Sequence, residues 1–160
     1  MRIRLFSLTI ALAGLALAAS PALSFDLGKM LGGPGEAPSL NTFKLIHVAD
    51  LAAMVVNQAS GVQIYDANEP ETRTKYGVIP GAHLLASDDG YNVATTLPAD
   101  KQAKLVFYCA NTACMASHEA ARRAVGAGYT NVSVMGDGIM GWKAAGQPTV
   151  SAASLPGANS

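Results

Sequence analysis

Hydrophobic and polar positions along this chain fall into two kinds of pattern. Short, nearly continuous apolar runs stand at Leu45-Ile46-His47-Val48, Val62-Gln63-Ile64-Tyr65, Lys104-Leu105-Val106-Phe107-Tyr108 and Asn131-Val132-Ser133-Val134-Met135. They are rich in β-branched and aromatic residues, so each is expected to be a strand. Between them the spacing lengthens. Asp50 is placed to cap a helix over 51–58. Over 115–125, Met115, Ala121, Ala124 and Val125 can face inward while Glu119, Arg122 and Arg123 face water, and Gly126 and Gly128 end the helix. Residues 139–145 read as a further short helix. Apolar strands interleaved with helices indicate an α/β fold, a parallel sheet covered on both faces. In such sheets ligands gather where strands end and helices begin.

The longest apolar run lies elsewhere. Arg2 and Arg4 precede apolar residues 5–19, followed by Ser20-Pro21-Ala22-Leu23-Ser24-Phe25. A charged start, an apolar segment and small residues at Ala22 and Ser24 are expected to be a secretory signal peptide over 1–24, cleaved after Ser24. The run is shorter than the roughly 20 residues a span needs, and Pro21 breaks it. No cysteine near the cleavage site offers a lipid anchor, and the two arginines are not adjacent as a twin-arginine signal requires. Cleavage leaves 9 basic and 11 acidic residues, a net charge of −2. The expected location is therefore the periplasm or the exterior, with no stable membrane association. Residues 25–42, with Gly32-Gly33-Pro34-Gly35, read as a flexible lead-in, and residues 151–160 as a disordered tail. The folded part is expected over 43–150.

Composition narrows the function. The whole chain of 160 residues allows one domain, and its 11 Lys+Arg balance 11 Asp+Glu. That balance excludes the basic excess of a nucleic-acid binder. Two cysteines are too few for a disulfide scaffold or a four-ligand zinc site.

Cys109 directly follows the third apolar run, and the helix after it begins about six residues later. The segment Ala110-Asn111-Thr112-Ala113-Cys114 is short and mostly small. In that geometry backbone N–H groups and the helix N-terminus are expected to converge on the sulfur and favour its anion, lowering its pKa and giving a nucleophile. The plainer alternative is a buried cysteine packing as a small hydrophobe.

Five separated motifs then stand in order: Asp66 at a strand end; Gly77-Val78-Ile79-Pro80-Gly81-Ala82; Val106-Phe107-Tyr108-Cys109; Gly128-Tyr129-Thr130-Asn131-Val132; and Gly138-Ile139-Met140-Gly141-Trp142-Lys143-Ala144-Ala145-Gly146-Gln147-Pro148. Together they resemble a rhodanese domain. The resemblance implies a three-layer α/β/α domain with a five-stranded parallel sheet. It also implies a catalytic Cys109 that carries sulfane sulfur as a persulfide, cradled by the loop Ala110, Asn111, Thr112, Ala113, Cys114 and Met115. Asp66 would order the neighbouring loops by hydrogen bonding, and no cofactor is implied.

The departures from the family pattern set the expected substrate. The loop lacks the basic residues that hold thiosulfate, and Asp66-Ala67-Asn68 replaces Asp-x-Arg, so another positive charge is missing. Gly77-Val78 stands where a histidine is common. Weak thiosulfate activity is expected, with a persulfide or polysulfide as donor and a thiol as acceptor. Cys114 can be a resolving cysteine that closes a disulfide with Cys109, a structural disulfide partner, or a buried helix-start residue. The alternative to sulfur transfer is a non-catalytic module that binds sulfur or a partner. Phosphatase or arsenate reductase chemistry is disfavoured because an oxyanion would find no arginine in the loop. His47, His83 and His118 match no zinc signature with the cysteines, and His118 is expected as a solvated helix residue. Trp142 is expected in the core. The sequon Asn131-Val132-Ser133 falls in a predicted strand, where it carries no function.

Overall fold

The computed structural model describes residues 42–56 and 61–155. The expected signal peptide, most of the lead-in and residues 156–160 lie outside them. Five strands form one parallel sheet: β1 (Lys44–Ile46), β2 (Gln63–Asp66), β3 (His83–Leu84), β4 (Leu105–Tyr108) and β5 (Val132–Met135), in the order β1-β5-β4-β2-β3. The helices are α1 (Val48–Val56), α2 (Pro70–Tyr76), α3 (Val93–Thr96), α4 (Ala116–Gly126) and α5 (Gly138–Ala144).

Side chains alternate across the pleat and so build two cores. Tyr65, Ala67, Leu105, Phe107, Cys109, Val132 and Val134 point to one face and pack against α4. Ile46, Ile64, Val106, Tyr108 and Met135 point to the other, against Leu51 of α1 and Ile139 and Trp142 of α5. This is the three-layer α/β/α arrangement. The strands are buried on both faces, which is why they read as continuous apolar runs.

α4 seats Ser117, Ala120, Ala121 and Ala124 on the sheet, the i, i+3, i+4, i+7 stripe of an amphipathic helix. Small residues there let the helix lie close to β4. Two of the inward and outward assignments change. Met115 is 54% exposed, because it precedes the first helical turn. Arg123 folds back, donating to the Tyr91 carbonyl at 3.0 Å and lying over the Tyr91 ring.

Boundaries also shift. α1 starts earlier than expected, and Asp50 sits inside its first turn, accepting the His47 N–H at 2.9 Å. A second carboxylate, Asp137, also meets the helix start, accepting the Val48 N–H at 3.0 Å and contacting His47 Nδ1 at 3.2 Å. β3 has two residues and α2 is polar and fully without buried residues, so neither leaves a periodic signal. Of the expected tail, Ala152–Ser154 forms a 3₁₀ turn beyond the antiparallel bridge of Val78 and Val150. β5 begins at Val132, one residue after the sequon's exposed Asn131.

Candidate active site

β4 delivers Cys109 to the carboxyl end of the sheet, one residue after its last paired position. The residues that follow turn back into α4. Asn111 organises that turn: its carbonyl accepts the Cys114 N–H at 3.0 Å, and its Oδ1 accepts the Ala113 N–H at 3.0 Å. The first turn of α5 pins the loop from the other side. Ile139 N–H donates to the Cys109 carbonyl at 2.8 Å and Met140 N–H to that of Ala110 at 3.0 Å. Gly138, at φ +64°, makes this approach possible, since a Cβ there would fall 2.4–2.5 Å from Ala110 and Asn111 backbone atoms. Asn111 Nδ2 reaches Met140 Sδ at 3.5 Å.

Cys109 as a residue is 1% exposed. Its sulfur donates to the Cys114 carbonyl at 3.3 Å and lies 3.2 Å from Ser117 Oγ. A thiol has one proton, and the carbonyl takes it, so the Ser117 hydroxyl is the donor to sulfur. The Cys109 thiol is pushed up from 9.0 to about 11, chiefly by burial and then by hydrogen bonding with Cys114; the Ser117 hydroxyl and backbone N–H pull the other way without prevailing. This corrects the expectation of a lowered pKa. The helix start does reach the sulfur, through Ser117, but a carbonyl faces the sulfur as well, and a carbonyl favours the protonated form.

Of the loop residues, Cys114 meets the sulfur through its carbonyl and Asn111 shapes the turn, while Thr112, Ala113 and Met115 are exposed. Cys109 and Cys114 are both free. Ser117, completely buried beside the sulfur, went unnoticed in the sequence. A hydroxyl eight residues after the cysteine carries no pattern until the helix is placed.

Asp66 is fully buried and ties three segments together. Its carboxylate accepts the Asn68 N–H at 2.7 Å, Arg73 Nε at 3.1 Å and the Tyr108 hydroxyl. Arg73 donates onward to the carbonyls of Asp66 and Leu85 at 3.0 and 2.8 Å, and Tyr108 Oη accepts the Ile79 N–H at 3.1 Å. The missing positive charge is thus partly restored: Arg73, on α2, supplies the guanidinium that position 68 lacks. It is committed to Asp66 and Leu85. Asn68 itself is 7% exposed, with its Nδ2 unpartnered.

The histidines are not brought together at the cysteines. His47 meets Asp137, and His83 stacks on Tyr65 and contacts Gln63. His118 packs edge-on against Phe43 with Nδ1 buried and unpartnered, not freely solvated as expected. Burial and nearby Arg122 lower its pKa. Among the described residues no group of three or more potential ligands is arranged to hold a metal. Trp142 is buried, donating Nε1–H to the Pro148 carbonyl at 2.8 Å.

The buried acids make a pH prediction. Tyr65 and Tyr91 are both raised from 10.0 to about 12, chiefly by burial, as Cys109 is raised to about 11. Each group ionises in the unfolded chain first, so each favours unfolding once pH passes its unfolded value. Stability is expected to hold up to about pH 9 and then fall with a slope of roughly 1 kcal/mol per pH unit per group. Urea midpoints from pH 7 to 11 check this; a flat profile would refute the burial of these groups.

The profile of the rhodanese-like domain matches residues 48–145. A protein of unknown function from Rhodopseudomonas palustris, described as a possible tyrosine phosphatase, is 27% identical at a TM-score of 0.56, covering 68% of this chain and 85% of that one. A Bacillus halodurans protein is 23% identical with TM-score 0.58, over 68% of this chain and 77% of its own. The rhodanese-like domain of an Anabaena protein is 19% identical with TM-score 0.54, over 72% and 86%. No curated protein matches the chain. Profile, sheet order and the cysteine after β4 agree: the chain belongs to the rhodanese-like domain family.

Proposed function

We propose that the protein is an exported sulfurtransferase in which Cys109 carries sulfane sulfur as a persulfide. The observation that carries this reading is the placement of Cys109 at the end of β4, between Ser117 of α4 and the Gly138 turn of α5. The Cys109 thiolate attacks the outer sulfur of a persulfide donor, the donor thiol leaves, and an acceptor thiol or cyanide later removes the sulfur. In the resting arrangement burial and the contact with Cys114 hold Cys109 as the thiol. Loading therefore requires the Cys114 carbonyl to give way, and Ser117 remains as the hydroxyl donor to the anion.

The same features select the donor. Cations are absent from the loop, Arg73 and Arg123 are engaged elsewhere, and the nearest loop dipole presents oxygen. Each missing charge-assisted hydrogen bond costs roughly 1.5–3 kcal/mol, so thiosulfate should bind about ten- to a hundredfold more weakly than at a basic loop. A singly charged persulfide carries less of this penalty than doubly charged thiosulfate. Phosphate chemistry, suggested by the description of the Rhodopseudomonas protein, meets the same obstacle.

A second reading is favoured by the proton-bearing, buried sulfur: a module that keeps the fold for binding without turnover. One experiment separates them. The protein carrying Cys114→Ser is exposed to thiosulfate or to cysteine persulfide and followed by intact mass. A gain of about 32 Da from the persulfide, lost in Cys109→Ser, is expected of a nucleophilic cysteine. Efficient loading from thiosulfate would refute the donor assignment, and no loading from either would leave the binding module.

A further inference from the structure

Cys109 and Cys114 are held against one another. The Cys114 carbonyl lies 3.3 Å from the Cys109 sulfur, both thiols are free, and Cys114 packs against the cluster that contains Cys109. The Asn111 turn fixes residue 114 over the sulfur through the two 3.0 Å bonds already described. Exposure divides the pair. Cys109 is 1% exposed, whereas Cys114 is only half-buried. Of the two thiols Cys114 is the one nearer solvent, and it already stands within the chain when Cys109 is loaded.

Resting on the carrier reading, we infer that Cys114 discharges the Cys109 persulfide within the chain, releasing hydrosulfide and leaving a Cys109–Cys114 disulfide. The Cys114 thiolate attacks Cys109 Sγ. The bond from Sγ to the outer sulfur breaks, and that sulfur departs with the bonding pair as hydrosulfide. The proton from Cys114 passes to the hydrosulfide or to water. Persulfide and disulfide stand at the same oxidation level, so no outside oxidant is consumed. The more acidic leaving group departs faster, which favours hydrosulfide over an alkyl thiolate. An external dithiol then reduces the disulfide through a mixed disulfide and restores both cysteines. The net activity converts sulfane sulfur to free sulfide, with the dithiol supplying two electrons.

The test compares the unaltered protein with Cys114→Ser and Cys114→Ala. Each is loaded with cysteine persulfide, freed of excess, and followed by intact mass and a sulfide assay. The unaltered chain should pass to a mass about 2 Da below its reduced form while sulfide appears, and a dithiol should restore it. Both variants should retain the extra mass at least about tenfold longer. Persistence of the persulfide in the unaltered chain to the same extent, or loss of its sulfur without a disulfide, overturns the proposal. Variants that fold but never acquire sulfur would instead remove the carrier reading, and this inference with it.

Discussion

Asp66→Ala is expected to cost the fold about 3–5 kcal/mol, the loss seen when one partner of a buried charge pair is removed. Asp66 is fully buried and Arg73 nearly so, with side-chain exposures of 0% and 11%. Truncation leaves Arg73 Nε facing a void and the Tyr108 hydroxyl without its acceptor. It also frees the Asn68 N–H. The consequence reaches the site, because β4 continues from Tyr108 directly into Cys109. Urea denaturation should show a lower midpoint, and for a domain of this size each kcal/mol lowers the melting temperature by about 4–8 °C. Arg73→Ala should lose at least as much, since it leaves the fully buried Asp66 carboxylate without its counter-charge. A drop below about 1 kcal/mol in Asp66→Ala would show that the network does not hold the loops.

Gly138→Ala is expected to do comparable damage by a different route. At φ +64° an alanine is strained, and its Cβ would collide with the Ala110 carbonyl and the Asn111 nitrogen at 2.4–2.5 Å. Those atoms are backbone and cannot swing aside. Strain of about 1–3 kcal/mol and overpacking of about 1–3 kcal/mol should both be felt. Relief would move the loop away from α5, breaking the bonds from Ile139 and Met140 to the carbonyls of Cys109 and Ala110. Persulfide loading of Cys109 should therefore fall along with stability. Gly146→Ala is the comparison: its φ is +73°, but nothing lies within 4 Å of a Cβ there. It should show the strain alone, with loading intact. Equal effects at the two glycines would mean that contact with the cysteine loop is unimportant.

Strands β2, β4 and β5, the helix after Cys109 and the place of Cys109 at a strand end can all be read from the residues alone. These are legible because a strand buried on both faces must be apolar throughout, and a helix on a sheet must repeat its small or apolar residues every three or four positions. Glycines at 128 and 138 were visible in family motifs, though what Gly138 touches was not. β3 escaped because two residues carry no period, and α2 because it buries nothing.

The chemistry around the sulfur, by contrast, follows from long-range packing. Local sequence places a helix start after Cys109, which argues for an anion. Whether amide hydrogens or a carbonyl face the sulfur depends on how the Asn111 turn closes and how α5 clamps the loop. Burial then sets the sign, because removing the sulfur from water penalises the thiolate more than Ser117 compensates. The same holds for the ion pair. Asp66 and Arg73 are seven residues apart across a strand end and a helix, so no spacing rule joins them, and only the folded chain brings the guanidinium onto the carboxylate.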